Sequence, residues 1–331
     1  MKAAFLTHYD KNGTVLEIRD VSVPTPAAGE LLVRVHAAGV NPLDVLIMRG
    51  EVRLIVPYRT PVLMGNEFVG TVEKAAPGFH EGDRVYGRMP LDHIGTFAEY
   101  LTVPAQTVAV VPEYLDDEQA ACVPLTALTA LQAYALMDAK PGGWLYISGG
   151  SGSVGAMAIP IAAAQGLHVA TSGSGDARDR VTGLGAEIFV DYRTQKVSEA
   201  IDSVDYVLDT LGDKALPEEF QLLCWGGSLV SLRGTPNGAF ARRMHMPWYK
   251  RLLFDMAGSK WDRMARKKNQ SYDFMFVQAD GRGLMEVSRI FTERRVEPSV
   301  DGVFPLGEVN AAMAKVASGR SRGKTVLRIA P

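Results

Sequence analysis

One stretch constrains this chain more than any other: Leu145-Tyr146-Ile147-Ser148 runs directly into Gly149-Gly150-Ser151-Gly152-Ser153-Val154-Gly155. A short apolar strand, a glycine-rich turn and an alanine-rich helix follow without a break, and a further strand is predicted at His168–Ser172. A lone G-x-G-x-x-G is weak, but strand before and helix after are the context it needs. Gly150 is read as permitting the tight turn, Gly152 as letting the backbone approach a pyrophosphate, and Gly155 as allowing close helix–sheet packing. The helix N-terminus offers free N–H groups and partial positive charge to phosphates. Gly150, Ser151, Gly152, Ser153, Val154 and Gly155 are therefore expected to bind a dinucleotide. Pro160 falls inside the helix, where it removes a backbone hydrogen bond and is expected to kink it.

The end of the next strand speaks to which dinucleotide. An NAD site usually carries Asp or Glu about 20 residues past the glycines, to accept from the ribose 2′-hydroxyl. Here the strand ends in Thr171-Ser172-Gly173-Ser174-Gly175, with no acid until Asp176. A carboxylate would repel a 2′-phosphate, whereas Ser172, Ser174 and a guanidinium at Arg178 or Arg180 would hold one. A solvated helix face is the plain alternative for those arginines. NADPH is the expected cofactor.

Strands at Trp144–Ser148, His168–Ser172, Ile188–Asp191, Tyr206–Asp209 and Ser228–Leu232 alternate with helical segments, which predicts βαβ units and a doubly wound parallel sheet. The chain before Asp116 is different. Short β-branched runs such as Leu31–Val35 and Phe68–Val72, closed by Gly or Pro, predict a compact barrel. The terminal run Thr325–Ile329 reads as a strand that returns to that first domain. At 331 residues, two domains are the default. The boundaries are placed at 1–117 with 272–331 for the barrel and 118–271 for the inserted α/β domain.

Several ordered segments go further than these patterns. Ala38-Gly39-Val40-Asn41-Pro42-Leu43-Asp44, Gly65-Asn66-Glu67-Phe68-Val69-Gly70, Gly82-Asp83-Arg84-Val85, Gly95–Tyr100, Pro124–Ala130, Asp191-Tyr192-Arg193, Phe304-Pro305-Leu306 and Gly323–Leu327 stand in sequence along the whole chain. Together they resemble the medium-chain dehydrogenase/reductase superfamily, and within it the zinc-free quinone oxidoreductase branch related to zeta-crystallin. The resemblance implies a GroES-like barrel formed by both chain ends, an inserted Rossmann domain, and a deep cleft between domains where nicotinamide meets substrate. By position it places Tyr192 beside the adenosine phosphate, and Thr126 and Asn41 near the nicotinamide and its ribose. Phe276 and Val277 would line the nicotinamide, Leu211 belongs to the cofactor set, and Arg320 or Lys324 would reach back to the cofactor. Where many members carry a lysine for the 2′-phosphate, this chain has Ala177, so Arg178 is the expected substitute.

Zinc-dependent relatives converge three ligands on one metal. The matching positions here hold Asn41, Asn66 and Pro124-Leu125, which are poor zinc ligands. Only two cysteines exist, Cys122 and Cys224, both in apolar surroundings, and the six histidines show no paired ligand spacing. No metal is expected. Without a Lewis acid to polarise an alcohol, the chemistry left is hydride transfer from NADPH to an acceptor that is already electron-poor, a quinone or an α,β-unsaturated carbonyl. Asn41 is the expected orienting donor. Asp44 is read as pinning the loop more than acting in chemistry, and Tyr58 as a packing tyrosine that could also give a proton to an enolate. Two other readings stay open: an enoyl-thioester reductase, and a non-catalytic NADPH-binding regulatory or nucleic-acid-binding protein on the same fold.

Residues 240–271 are unusually basic. Arg242, Arg243, Lys250, Arg251, Lys260, Arg263, Arg266, Lys267 and Lys268 face only Asp255 and Asp262, and Tyr249, Leu252, Leu253 and Met256 recur at helical spacing. An amphipathic helix follows. A net charge of −2 favours a solvated helix at a cleft mouth or subunit contact over one that binds membrane or nucleic acid. The remaining expectations are a small-molecule substrate, no nucleic acid, no membrane and a homodimer. Because Met1–Phe5 carries no secretory signal and no apolar run is long enough to span a bilayer, a cytoplasmic location is also expected.

Overall fold

A computed structural model of the chain describes residues 1–319 and 323–329. It divides into two compact units, 1–128 with 278–331 and 129–277. The divisions fall inside the helix Pro124–Leu136 and just after Phe276-Val277, not at 117/118 and 271/272.

The inserted unit holds six parallel strands: β1 Trp144–Ile147, β2 His168–Gly173, β3 Ile188–Asp191, β4 Val204–Asp209, β5 Leu223–Ser231 and β6 Ser271–Phe274. Their order is 3-2-1-4-5-6, that of a doubly wound dinucleotide fold. Parallel strands buried on both faces need near-continuous apolar runs, and β1 and β2 supply them. Leu145 pairs with Val169 and Ile147 with Thr171, all buried. The helix Ser153–Ala164 continues through Pro160. On one side of the sheet Val207, Leu229, Phe220, Trp261 and Tyr272 form one apolar cluster.

The other unit is β-rich. The long strand Glu30–Val40 pairs with Glu67–Lys74, with Tyr100–Pro104 and with the C-terminal strand Lys324–Arg328, so both chain ends build one sheet. Leu31, Val33 and Val35 alternate inward against Phe68, Val72, Val85 and Val103, the period-2 pattern that a half-buried strand requires. Register sets what meets at the strand ends: Thr325 stands opposite Val40, while Glu67 stands opposite Gly39 on one side and Arg88 on the other. Among the described residues no helix is long and apolar enough to cross a membrane.

Candidate functional site

The glycine loop is built by removal of side chains. Gly149 takes φ +69°, so the left-handed turn residue is Gly149 and not Gly150. Gly150 is required for a different reason. A Cβ there would stand 2.1 Å from Thr171 Oγ1, and one on Gly155 would stand 2.4 Å from Gly150 Cα. These two glycines lock turn, helix and β2 together. Gly152 is freer, since its Cβ would meet only the Gly149 carbonyl at 3.3 Å. Gly152 is also the N-cap of Ser153–Ala164, and no side chain caps that helix. Uncapped N–H groups at a helix start are what a pyrophosphate needs, so the loop fits a dinucleotide.

Neighbouring strand ends frame the loop. The Gly150 N–H donates to the Ser172 carbonyl at 3.0 Å, and Thr210 bonds Ser148 through its N–H at 2.9 Å and its hydroxyl at 2.7 Å. Buried Asp209 accepts from the N–H groups of Leu211 and Gly212 at 2.7 and 2.8 Å and from the Ser231 hydroxyl at 2.5 Å. That turn presents Leu211, 56% exposed, at the end of β4 beside the loop. Between β1 and β4 the strand order reverses, and ligands of open parallel sheets bind there.

At the end of β2 the expected phosphate-binding groups are placed unequally. Ser172 is buried, its hydroxyl 2.8 Å from that of Tyr146. Ser174 precedes a short turn of helix and is half-buried. The Arg178 guanidinium lies 4.8 Å over the Phe189 ring and donates to the Phe189 carbonyl, which turns it onto β3. Arg180 instead donates to the Ser151 carbonyl of the glycine loop at 2.9 Å. Tyr192 is exposed, with Arg193 5.8 Å over its ring. The Asp191 carboxylate, missed by sequence reasoning, sits where a Cβ on Gly175 would come within 2.4 Å.

In the β-rich unit the expected catalytic residues fall into one buried polar network. Asn41 is buried: its Nδ2 donates to Glu67 Oε1 at 2.8 Å, and its Oδ1 accepts from Lys324 Nζ at 2.5 Å. Lys324 also pairs with Glu67 Oε1 at 2.5 Å, so this ammonium is spent inside the unit. Glu67 Oε2 accepts from the Leu125 N–H at 2.7 Å. Gly39 makes room for this, because a Cβ there would be 2.4 Å from Glu67 Oε1. Asp44 accepts from the Asn41 N–H and from Asn66 Nδ2, both at 2.7 Å, closing the first turn of the helix Pro42–Met48. Burial pushes the Asp44 carboxyl up to about 6, against the pull of those two donors.

Glu67 and Arg88 escaped the sequence reading. Both are charges inside otherwise apolar strands, and that is the signal that could have found them. Arg88 donates to the Met89 carbonyl, while its Nε and Nη2 have no partner; desolvation lowers it to about 10. The Tyr58 hydroxyl donates to the Leu91 carbonyl at 2.6 Å, and burial raises it above the ordinary tyrosine range. Its proton is therefore engaged. Thr126 is buried and donates to the Cys122 carbonyl one turn back, at 2.8 Å. Val277 is buried and Phe276 half-buried. Arg320 lies outside the described residues. A surface depression of about 500 Å³ is lined by Arg34, His36, Arg84, Asp116, Asp117, Glu118 and Arg328, and its cations are all paired. Its members pair as Arg34–Glu73, Arg84–Asp117–His36 and Arg328–Glu118.

Comparison with known proteins agrees with this geometry. Residues 27–113 match the family model described as alcohol dehydrogenase GroES-like domain, and residues 184–327 match the one described as zinc-binding dehydrogenase. The mouse NAD(P)H oxidoreductase RTN4IP1, mitochondrial, is 30% identical over 359 residues, covering 99% of this chain and 89% of the relative. The trans-enoyl reductase pgmF of Aspergillus terreus is 28% identical over 320 residues, covering 91% and 86%. The solved quinone oxidoreductase of Coxiella burnetii superposes with a TM-score of 0.83 at 26% identity, over 100% of this chain and 99% of that one. The chain therefore belongs to the quinone-oxidoreductase-like branch of the medium-chain dehydrogenase/reductase superfamily, and is an oxidoreductase that uses a nicotinamide dinucleotide.

Proposed function

We propose that the protein reduces quinones or α,β-unsaturated carbonyls with NADPH and without zinc. The observation that carries this reading is the Asn41–Glu67–Lys324 network. At positions where zinc-dependent relatives hold ligands, this chain has amides already committed to buried carboxylates, Asn41 to Glu67 and its lysine and Asn66 to Asp44. Among the described residues no group of three or more His, Cys, Asp or Glu side chains could hold a metal ion. Cys122 is buried and donates to the Glu118 carbonyl at 3.1 Å, and burial pushes its thiol above the ordinary range.

When bound, NADPH would supply the hydride, its pyrophosphate held by the glycine loop at the start of the helix Ser153–Ala164. The acceptor takes that hydride and one proton from solvent, becoming a hydroquinone or a saturated carbonyl. Such an acceptor stabilises its own developing negative charge, so the protein's task is to orient and desolvate. Asn41 then acts as a positioning residue within the network, in place of a free donor. For the 2′-phosphate, Arg180 and Arg193 serve better than Arg178, because Arg178 is folded onto Phe189.

The enoyl-thioester reading uses the same hydride chemistry, and the trans-enoyl reductase relative favours it as the second choice. The cytoplasmic location and the homodimer stay part of the proposal. Oxidation of NADPH with 9,10-phenanthrenequinone, a simple enone and a crotonyl thioester separates the readings. Turnover of quinone or enone is expected. Turnover of the thioester alone would move the protein to the second class, and tight NADPH binding with no turnover of any would defeat both.

A further inference from the structure

The helix Trp248–Arg266 packs on its own unit through Phe254, Gly258, Trp261 and Ala265, spaced four, three and four apart. Two of those contacts are glycine and alanine. A Cβ on Gly258 would come within 2.4 Å of Asn237 Cβ, so the helix sits close on its neighbour. That choice of inner face sends every other large apolar residue of the first half outward. Trp248 is 75% exposed, Met256 69%, Tyr249 56%, Leu252 55% and Leu253 47%. Residues at 248, 252 and 256 stack one turn apart, with 249 and 253 beside them, so these five form one continuous patch.

The second half of the same outward face is basic. Lys260, Arg263, Arg266, Lys267 and Lys268 are all exposed. The two acids of the helix lie toward the protein: Asp255 pairs with Arg242 at 3.3 Å, and Asp262 accepts from Asn237 at 2.8 Å. Near the basic end lies a third exposed aromatic. The Gly226 N–H donates to the Lys268 carbonyl at 3.0 Å, and the residue before it, Trp225, is 73% exposed.

We propose that this face docks the protein on an anionic lipid bilayer. The patch would enter the interface with Trp248 and Tyr249 at headgroup level, and the five cations would meet the lipid charge. Charge complementarity selects this occupant. A nucleic acid would satisfy the cations but leave five large apolar side chains in water, since a phosphate backbone offers them nothing to bury against. A second copy would cover the apolar half but leave the basic half without counter-charge. The overall charge of −2 argued against membranes from sequence, but a bilayer responds to local charge within a Debye length. The inference is independent of the substrate, since no residue of the glycine loop or of the Asn41 network takes part.

The test is flotation of the full chain with vesicles of phosphatidylcholine alone and of equal parts phosphatidylcholine and phosphatidylglycerol, at low and high salt. Tryptophan emission is recorded alongside. Binding to the anionic vesicles is expected, weakened by salt, with a blue shift that Trp248→Phe reduces. Leu252→Glu/Met256→Glu and Lys260→Glu/Arg263→Glu should each lower the partition coefficient about tenfold or more, with NADPH binding unchanged as the check on folding. Should one pair unfold the chain, the other carries the test alone. No binding to anionic vesicles overturns the proposal. So does equal binding to both lipids, or a salt-stable dimer in ultracentrifugation that Leu252→Glu/Met256→Glu converts to monomer.

Discussion

The glycine loop and the Asn41 network are both polar, both sit at strand ends, and work in opposite ways. The loop is open: Gly149, Gly150, Gly152 and Gly155 carry no side chain, and its helix start is left without a cap. The network is closed: Asn41, Asp44, Glu67 and Lys324 spend their groups on one another. An open backbone site offers its groups to a ligand, whereas a closed network has already satisfied its own. The resemblance implies contact of Asn41 and Lys324 with cofactor or substrate; on the reading proposed above, their buried partners give them a positioning role.

The largest effect is expected where the closed network is broken. Lys324→Met leaves the Glu67 carboxylate buried beside a neutral side chain, and removing one partner of a buried pair costs about 4 kcal/mol. Urea denaturation should show the midpoint falling accordingly. An unchanged midpoint would mean the pair is not the anchor described. Next come paired changes in the loop. Gly150→Ala drives a methyl into Thr171 and should cost about 3 kcal/mol of stability. Gly152→Ala meets only its own loop, so the fold should hold while the NADPH dissociation constant rises about tenfold, or ~1.4 kcal/mol. Equal stability losses would erase the distinction between a packing glycine and a ligand-facing one.

Two buried carboxyls sharpen the comparison through pH. Burial pushes Asp44 up to about 6 in the folded chain, and burial and Asp209 push Glu219 well above the carboxylate range. Both folded values exceed the unfolded ones. The stability they contribute is therefore complete below about pH 4 and is lost as pH rises through the folded values. For Asp44 a shift of this size corresponds to ~3 kcal/mol. Glu219→Gln should flatten the decline in Tm on the alkaline side and raise Tm at pH 8 more than at pH 5; a parallel pair of curves would contradict it. The smallest effect concerns cofactor choice. Arg180→Ala and Arg193→Ala should each lower the NADPH-over-NADH preference several-fold, roughly 1 kcal/mol apiece, and Arg178→Ala should lower it less. A dominant Arg178 would restore the reading from sequence.

What could be read from the chain follows the same division. The loop was legible because a backbone requirement is written locally, as glycines between a strand and a helix. The doubly wound parallel sheet and the return of the C-terminal strand to the first domain followed from alternation and from resemblance. The partners of Asn41 were not legible, because Glu67 and Lys324 lie far away in sequence and meet only through strand register. Nor was the inner face of Trp248–Arg266. Hydrophobic spacing picks out Tyr249, Leu252, Leu253 and Met256, while the chain packs through Gly258 and Ala265, whose value is closeness and not hydrophobicity.

Reduction without a metal is the claim on which the open-and-closed contrast rests. Its most direct measurement is NADPH oxidation with 9,10-phenanthrenequinone by protein dialysed against a strong zinc chelator, with metal content measured on the same sample. The expected result is undiminished turnover at no more than trace zinc. Activity that disappears on chelation and returns with stoichiometric zinc would contradict it.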